Sequence, residues 1–378
     1  MKRTETEWVQ EALENAAGKL KRVSQRSADK IPYTTVDGVH DDHSGEGIGW
    51  WTNGFWGGLM WQMYTLTGEA PYRSIAERTE EKLDAKFLCY DRLDHDNGFV
   101  WLPTAVANYK VTGSLPAKNR GLLAAGQLAG RYNCAGKFIR AWNNHEHDDH
   151  DRTGWTIIDC MMNLPLLYWA SKETGDPRFC QIAQNHAHTT RRHFVREDGS
   201  VKHIVSFDPV SGEMLRNYRG QGYREDSAWT RGQAWGLYGF ALSYLHTKVP
   251  AFLETAERIA DYFIANIPSS GWIPVDFCQP ESVHLEDSTA SAIAVCGLLE
   301  LAKLQTGPRQ AHYTQQALRL LKALSAHRVN LNLNEDNLLT NCTAAYHDKT
   351  HEFSIIYGDY YYLEALMKFS GNALPIWQ

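Results

Sequence analysis

The chain has 378 residues, 43% of them hydrophobic and 22% charged, and its net charge is −6. That balance excludes disorder as a description of the whole chain. With no basic block it gives a nucleic-acid partner no footing. Aromatic residues reach 12%, and tryptophan is as frequent as phenylalanine at 13 each, which core filling alone does not explain.

In chain order, the first segment carries charges and no apolar stretch of the secretory kind, so it is not expected to be a signal. Trp8, Ala12, Leu13, Ala16, Leu20 and Val23 recur at helical spacing, which predicts an amphipathic helix of the fold itself. No apolar run approaches the roughly 18 residues of a membrane span. The seven cysteines are scattered, odd in number and without a CxxC pair. That pattern predicts reduced thiols and a cytoplasmic setting.

A weak repeat then organises the rest. A helix of aromatic and small residues ends in Thr-Gly or a similar pair, and a more charged helix follows. The first kind covers residues 51–68, 97–113, 157–175, 229–248, 287–307 and 357–371. Being apolar nearly all round, these six read as buried helices. The amphipathic partners, five after them and one at the N-terminus, suit an outer layer. Gly stops followed by Pro or Asp restarts mark the joints. Twelve alternating helices predict an all-α closed double ring, an (α/α)6 barrel of one domain over residues 1–378. The competing arrangement is an open solenoid, which would keep a more even period. The runs SVKHIVSFD and GWIPVDF are predicted as short hairpins in the loops.

Each inner helix opens on a polar or aromatic cluster. Capping accounts for Asp287, Ser288 and Asp359. It does not account for Trp51, Trp229, Arg231 or Trp235, which are not capping types. In a barrel with parallel inner helices these starts meet at one mouth. Flat rings with a few polar anchors suit a sugar. Helix N-termini and Arg231 favour a sugar carrying an anionic group. Asp159 sits among isoleucines and methionines in WTIIDCMMNLPLL. There a carboxyl is expected to resist ionisation, more so with Asp96 nearby, and to serve as a general acid. The alternative is a buried Asp capping its helix. The His/Asp run HEHDDHD at 145–151 reads as a solvated loop rather than a metal site, because its ligand types are nearly contiguous. No phosphate-binding or dinucleotide-binding loop is present.

The segments WTNGFWGGLMW, LDHDNGF, IIDCMMNLPLLYWA, TRGQAWGLYGFAL, DSTASAIAVCGLLE and YGDYYYLEAL together resemble glycoside hydrolase family 88, the unsaturated glucuronyl hydrolases. The resemblance runs from about residue 45 to 370 in one order. It implies the (α/α)6 barrel independently of the repeat. It also implies a substrate partner, an oligosaccharide bearing a Δ4,5-unsaturated uronic acid at its non-reducing end, with no metal or other cofactor. The implied reaction is hydration of the C4=C5 vinyl ether, not direct attack on the glycosidic bond. By motif, Asp159 matches the acid/base and Asp96 the second carboxylate. His203, Gln221 and Arg231 match substrate-binding positions, and Trp51, Trp142, Trp229 and Trp235 match aromatic ones. Where the family often has WTDGFW, Asn53 stands here, still able to cap its helix. An unsaturated rhamnogalacturonyl hydrolase on the same fold, a sugar 2-epimerase and a non-catalytic oligosaccharide-binding protein are the competing readings. Lys349 and His351, before the last helix, are candidates to meet a substituent on the sugar. Nothing in the sequence sets the oligomeric state.

Overall fold

A computed structural model describes residues 4–144 and 150–378. Among the described residues the chain forms twelve helices, counting one interrupted helix as a single element. Helix α1 (Glu5–Arg26) opens with a capping box in which Thr4 and Glu7 satisfy each other's backbone N–H groups. Its predicted apolar stripe is turned inward, together with Lys19, whose ammonium donates to the carbonyls of Asn330 and Asn332. Then come α2 (Gly54–Thr67) and α3 (Ala70–Leu83). Helix α4 spans residues 97–112 in three parts: Asn97–Trp101, a wider π segment Leu102–Val106, and Ala107–Thr112. Pro103 lacks an N–H to donate, so the regular ladder breaks where it stands. The remaining helices are α5 (Leu115–Gly130), α6 (Leu164–Thr174), α7 (Pro177–His193), α8 (Thr230–Thr247), α9 (Pro250–Ala265), α10 (Ser288–Lys303), α11 (Gly307–His327) and α12 (Ile356–Ser370).

The even-numbered helices pack in sequence around a ring, and α12 returns to pack on α2. The ring is closed, so the chain is an (α/α)6 barrel and not an open solenoid. Helix α8 is buried from Thr230 to Ser243 and α10 from Ser288 to Ala302, as an inner ring with neighbours on all sides requires. The outer helices bury one stripe each. Four predicted stops hold, since α2, α4, α6 and α12 end at glycines in the left-handed conformation, whereas α10 ends at Lys303 and Gly307 opens α11.

Two elements differ from expectation. Residues 157–163 do not begin the third inner helix. After the short hairpins of β1 (Thr35–Val36) with β2 (Val39–His40) and β3 (Tyr132–Asn133) with β4 (Phe138–Ile139), Trp155–Ile157 is a strand (β5) and Ile158–Met162 a tight 3-10 turn, and the α-helix starts at Leu164. Ile157 is extended, and Pro165 fits only the first turn of a helix, where its missing N–H costs nothing. The second difference is GWIPVDF, which makes only the isolated bridges Trp229–Asp276 and Pro274–Glu286, because Pro274 interrupts a ladder. The other predicted run does form strands. Ile204–Phe207 (β6) is the centre of a three-stranded antiparallel sheet with β5 on one side and Met214–Tyr218 (β7) on the other.

Much of the aromatic excess is core. Tyr360, Tyr361 and Tyr362 are all buried. The C-terminal Trp377 lies parallel to Tyr361 at 6.0 Å, and its indole N–H donates to Glu364 at 2.8 Å. Glu364 also accepts from Tyr238 at 2.6 Å. Late in the inner helices, therefore, the barrel is plugged by rings gathered around the buried Glu364 carboxylate.

Candidate active site

A cavity of about 420 Å³ is lined by Gly49, Trp50 and Trp51 before and at the start of α2, and by Asp94 and Asp96 before α4. Ile157 at the end of β5 and Asp159 in the turn before α6 join them, with His203 just before β6, Ile204 at its start, and Gly220 and Gln221 from the loop before α8. Four inner-helix starts thus converge on one mouth. Trp142, Arg152 and Trp155 complete the wall. Arg152 holds its guanidinium 5.8 Å from the centres of both the Trp142 and Trp155 rings, an arrangement of cation over π face.

The sheet sets the relation between Asp159 and His203. Ile157 pairs with Ile204, and the N–H of Ile158 donates to the carbonyl of His203 at 3.0 Å. One residue beyond Ile158, Asp159 Oδ2 faces Nε2 of the same His203 at 3.5 Å. The N–H of Gln221 donates to His203 Nδ1 at 2.9 Å. That bond leaves Nε2 to carry the ring proton toward Asp159. Trp229 lies beneath the imidazole at 4.2 Å and fixes its plane. Gly220 makes this packing possible, since a β-carbon there would fall 1.9 Å from His203 Nδ1, and its φ of +56° also disfavours side chains. Gly220→Ala is therefore expected to displace His203 and lower kcat/KM by at least about tenfold. Gly126→Ala, where a β-carbon meets nothing within 4 Å, serves as the control and should leave activity unchanged.

The electrostatics overturn one expectation. Burial pushes the Asp159 carboxyl up, but His203, His95 and the buried Arg231 outweigh it and hold it below the usual carboxylate range. Asp96 is the carboxyl that resists ionisation. Burial, then the charges of Asp94 and Asp159, raise it well above its ordinary value, and Lys86 offsets this only in part. His95, 3.4 Å from Asp96 Oδ1, is pulled by burial down to about 4 and stays neutral near pH 7. The two carboxyls are therefore pushed in opposite senses, Asp96 toward its protonated form and Asp159 toward its ionised one. Nor does Asp159 cap a helix, since it is the second residue of a 3-10 turn whose cap position is Ile157.

The cavity wall takes in Trp51, Asp96, Trp142, Asp159, His203 and Gln221. Three other residues matched to the site lie one layer beneath it. Trp235 is fully buried against Phe99 and Tyr361, and Trp229 is 2% exposed under His203. Arg231 is 1% exposed. It is tied to Asp287 and to the carbonyls of Thr343 and Ala344, with its guanidinium over Trp229 at 4.5 Å. Its charge reaches Asp159 through the protein rather than through the cavity. Asp287 caps α10 as expected, whereas Asp359 caps nothing and instead accepts the N–H groups of Leu338 and Leu339. Asn53 likewise does not cap α2; its amide donates to the carbonyls of Gly47 and Ile48 and so holds the turn that carries Trp50 and Trp51. Lys349 is exposed, and His351 bonds to the carbonyl of Tyr346, whose own N–H meets Gln221. Residues 145–149 of the His/Asp run lie outside the described residues, and no metal-holding cluster occurs among the described ones. Sequence reasoning missed Trp155 and Arg152, which sit just before the IIDC motif without a pattern of their own.

The model of Glycosyl Hydrolase Family 88 matches residues 20–371. The chain belongs to that family. It is 36% identical to an unsaturated glucuronyl hydrolase from Bacillus sp. strain GL1, over 97% of this chain and 98% of the relative. It is 35% identical to an unsaturated chondroitin disaccharide hydrolase from Streptococcus pyogenes serotype M1, over 86% of this chain and 83% of the relative. The crystal structure of unsaturated glucuronyl hydrolase from Bacillus sp. GL1 superposes with a TM-score of 0.90 at 34% identity, covering 98% of each chain. As a family 88 member the protein is a glycoside hydrolase, and among the described residues no helix is long and apolar enough to cross a membrane.

Proposed function

We propose that this family 88 member removes a Δ4,5-unsaturated uronic acid from the non-reducing end of lyase-generated oligosaccharides of glycosaminoglycan type. The observation that carries the reading is the pair of carboxyls, Asp96 and Asp159, on one cavity wall between aromatic faces suited to stack on a sugar. We assign Asp159 as acid/base and Asp96 as the partner that meets ring hydroxyls and holds the second proton. Trp51, Trp142, His203 and Gln221 bind substrate, while Trp229, Arg231 and Trp235 support them from below. The uronate brings its own negative charge and displaces water, both of which raise Asp159 toward its protonated form. The acid then adds a proton to C4 as the C4=C5 π bond breaks. Water adds its oxygen to C5 and returns a proton to the carboxylate. The C5 hemiketal opens by breaking its bond to the ring oxygen, which leaves a hemiacetal at C1 that expels the next sugar. The chain acts as one domain, and its seven unpaired thiols suit a cytoplasmic enzyme.

The test is a panel of unsaturated disaccharides from glycosaminoglycan and pectin lyases, followed by loss of the enol-ether ultraviolet absorbance. Turnover of the glycosaminoglycan set is expected. Turnover of the pectin set alone would move the assignment to an unsaturated rhamnogalacturonyl hydrolase, and saturable binding without turnover to a binding protein.

A further inference from the structure

Asn163 stands immediately before α6, a position from which its side chain would ordinarily cap that helix. It makes no such bond. Its side chain crosses to the neighbouring inner helix instead. There Oδ1 accepts the N–H of Phe99 at 2.8 Å, one of the free donors in the first turn of α4. This bond fixes which way the amide faces, and Nδ2 is left pointing into the catalytic pair. It lies 3.4 Å from Asp96 Oδ1 and 3.3 Å from the carbonyl oxygen of Asp159. Asn163 is fully buried, so no solvent competes for the donor. The contact depends on Gly98, where a β-carbon would sit 2.5 Å from the Asn163 Cα and 2.7 Å from its Oδ1. The glycine of the HDNGF segment thus serves the approach of this one side chain.

We infer that Asn163 is the positioning residue of the carboxylate pair, its amide bridging Asp96 to the Asp159 turn and setting the geometry in which one proton is held between them. The inference rests on the hydrolase reading above. The charged and titratable groups that face Asp96 are Asp94 and His95 from its own loop, Lys86 from the segment after α3, and Asp159 and Cys160 from the turn. Of these only Lys86 opposes the rise at Asp96 besides the amide of Asn163 itself. A capping role at Phe99 needs only Oδ1, whereas the bridging role needs Nδ2, and the two can be separated.

Asn163→Asp keeps the size and the acceptor for Phe99 but replaces the donor facing Asp96 by an acceptor. For an unsaturated disaccharide, kcat should fall by at least about tenfold with KM changed by less than about threefold. The alkaline limb of the kcat profile, where Asp96 gives up its proton, should move to higher pH. Asn163→Ser, neutral and smaller, should move the limb in the same direction and stands in if the first variant does not fold. A carbon-13 carboxyl titration of Asp96 in wild type and Asn163→Ser reads the same shift without substrate. An unmoved limb and an unmoved Asp96 titration, even with lower thermal stability, would overturn the inference and leave Asn163 a cap. Failure of the wild-type chain to turn over any disaccharide would instead strike at the hydrolase reading, with the titration still deciding the role of Asn163.

Discussion

Asp159→Asn is expected to lower kcat on an unsaturated disaccharide by about 10²–10⁴-fold, the range general acid–base groups supply. The substitution is nearly isosteric. Asp159 caps no helix, and the side chain facing it is His203 at 3.5 Å, so the fold should survive. The amide removes the one group placed to both give and take a proton beside the cavity. Asp96 cannot replace it, because burial and the neighbouring Asp94 still hold its proton in place. KM should change little, since the aromatic wall and His203 remain. The check is kcat and KM together with the melting temperature. More than a tenth of wild-type kcat in a folded variant would remove Asp159 from the acid–base role.

The second large effect is loss of stability between pH 6.5 and 4. Burial pulls His40, His95 and His246 down to about 4 and His186 to about 3. In the unfolded chain each returns to about 6.5. As pH falls below that value the unfolded chain takes up protons that the native fold refuses, so the native state loses ground. The loss is on the order of 2 kcal/mol for each histidine over the whole window. Asp359 works in the opposite sense. Burial raises it to about 7 against the pull of two backbone N–H donors, so its contribution to stability grows as pH falls from 7 toward 4. Four groups against the opposing Asp96 and Asp359 leave a net decline. Denaturant midpoints measured from pH 7 to 4 should fall steadily, and Asp359→Asn should steepen the fall. A flat or rising curve would contradict this account of the buried histidines.

The ring was legible in the sequence because its signals are local. Thr-Gly stops, Pro restarts and the contrast between apolar and amphipathic helices each act within one or two turns. What escaped depends on distant partners. Asp159 was readable as a carboxyl among apolar neighbours, and from that alone its pKa should rise. The reversal comes from His203, 44 positions away and just before the strand that pairs with β5, and from Arg231 beneath the floor. Arg231 and Trp235 carry the strongest motif of the chain, yet one is locked onto Asp287 and the other packed on Phe99. A motif marks that a residue matters at the site without saying on which layer it stands. Asn163 gave no signal at all, since it fell inside the helix predicted over 157–175, and its task becomes visible only when Phe99 and Asp96 are brought beside it.

Hydration and direct glycosidic cleavage differ in the fate of one proton. The decisive measurement is turnover of an unsaturated disaccharide in deuterium oxide, with mass and NMR analysis of the released uronic product. Hydration predicts one carbon-bound deuterium at C4, no remaining double bond, and loss of the ultraviolet absorbance in step with release of the second sugar. A released uronic acid that keeps its C4=C5 bond and carries no carbon-bound deuterium would contradict it.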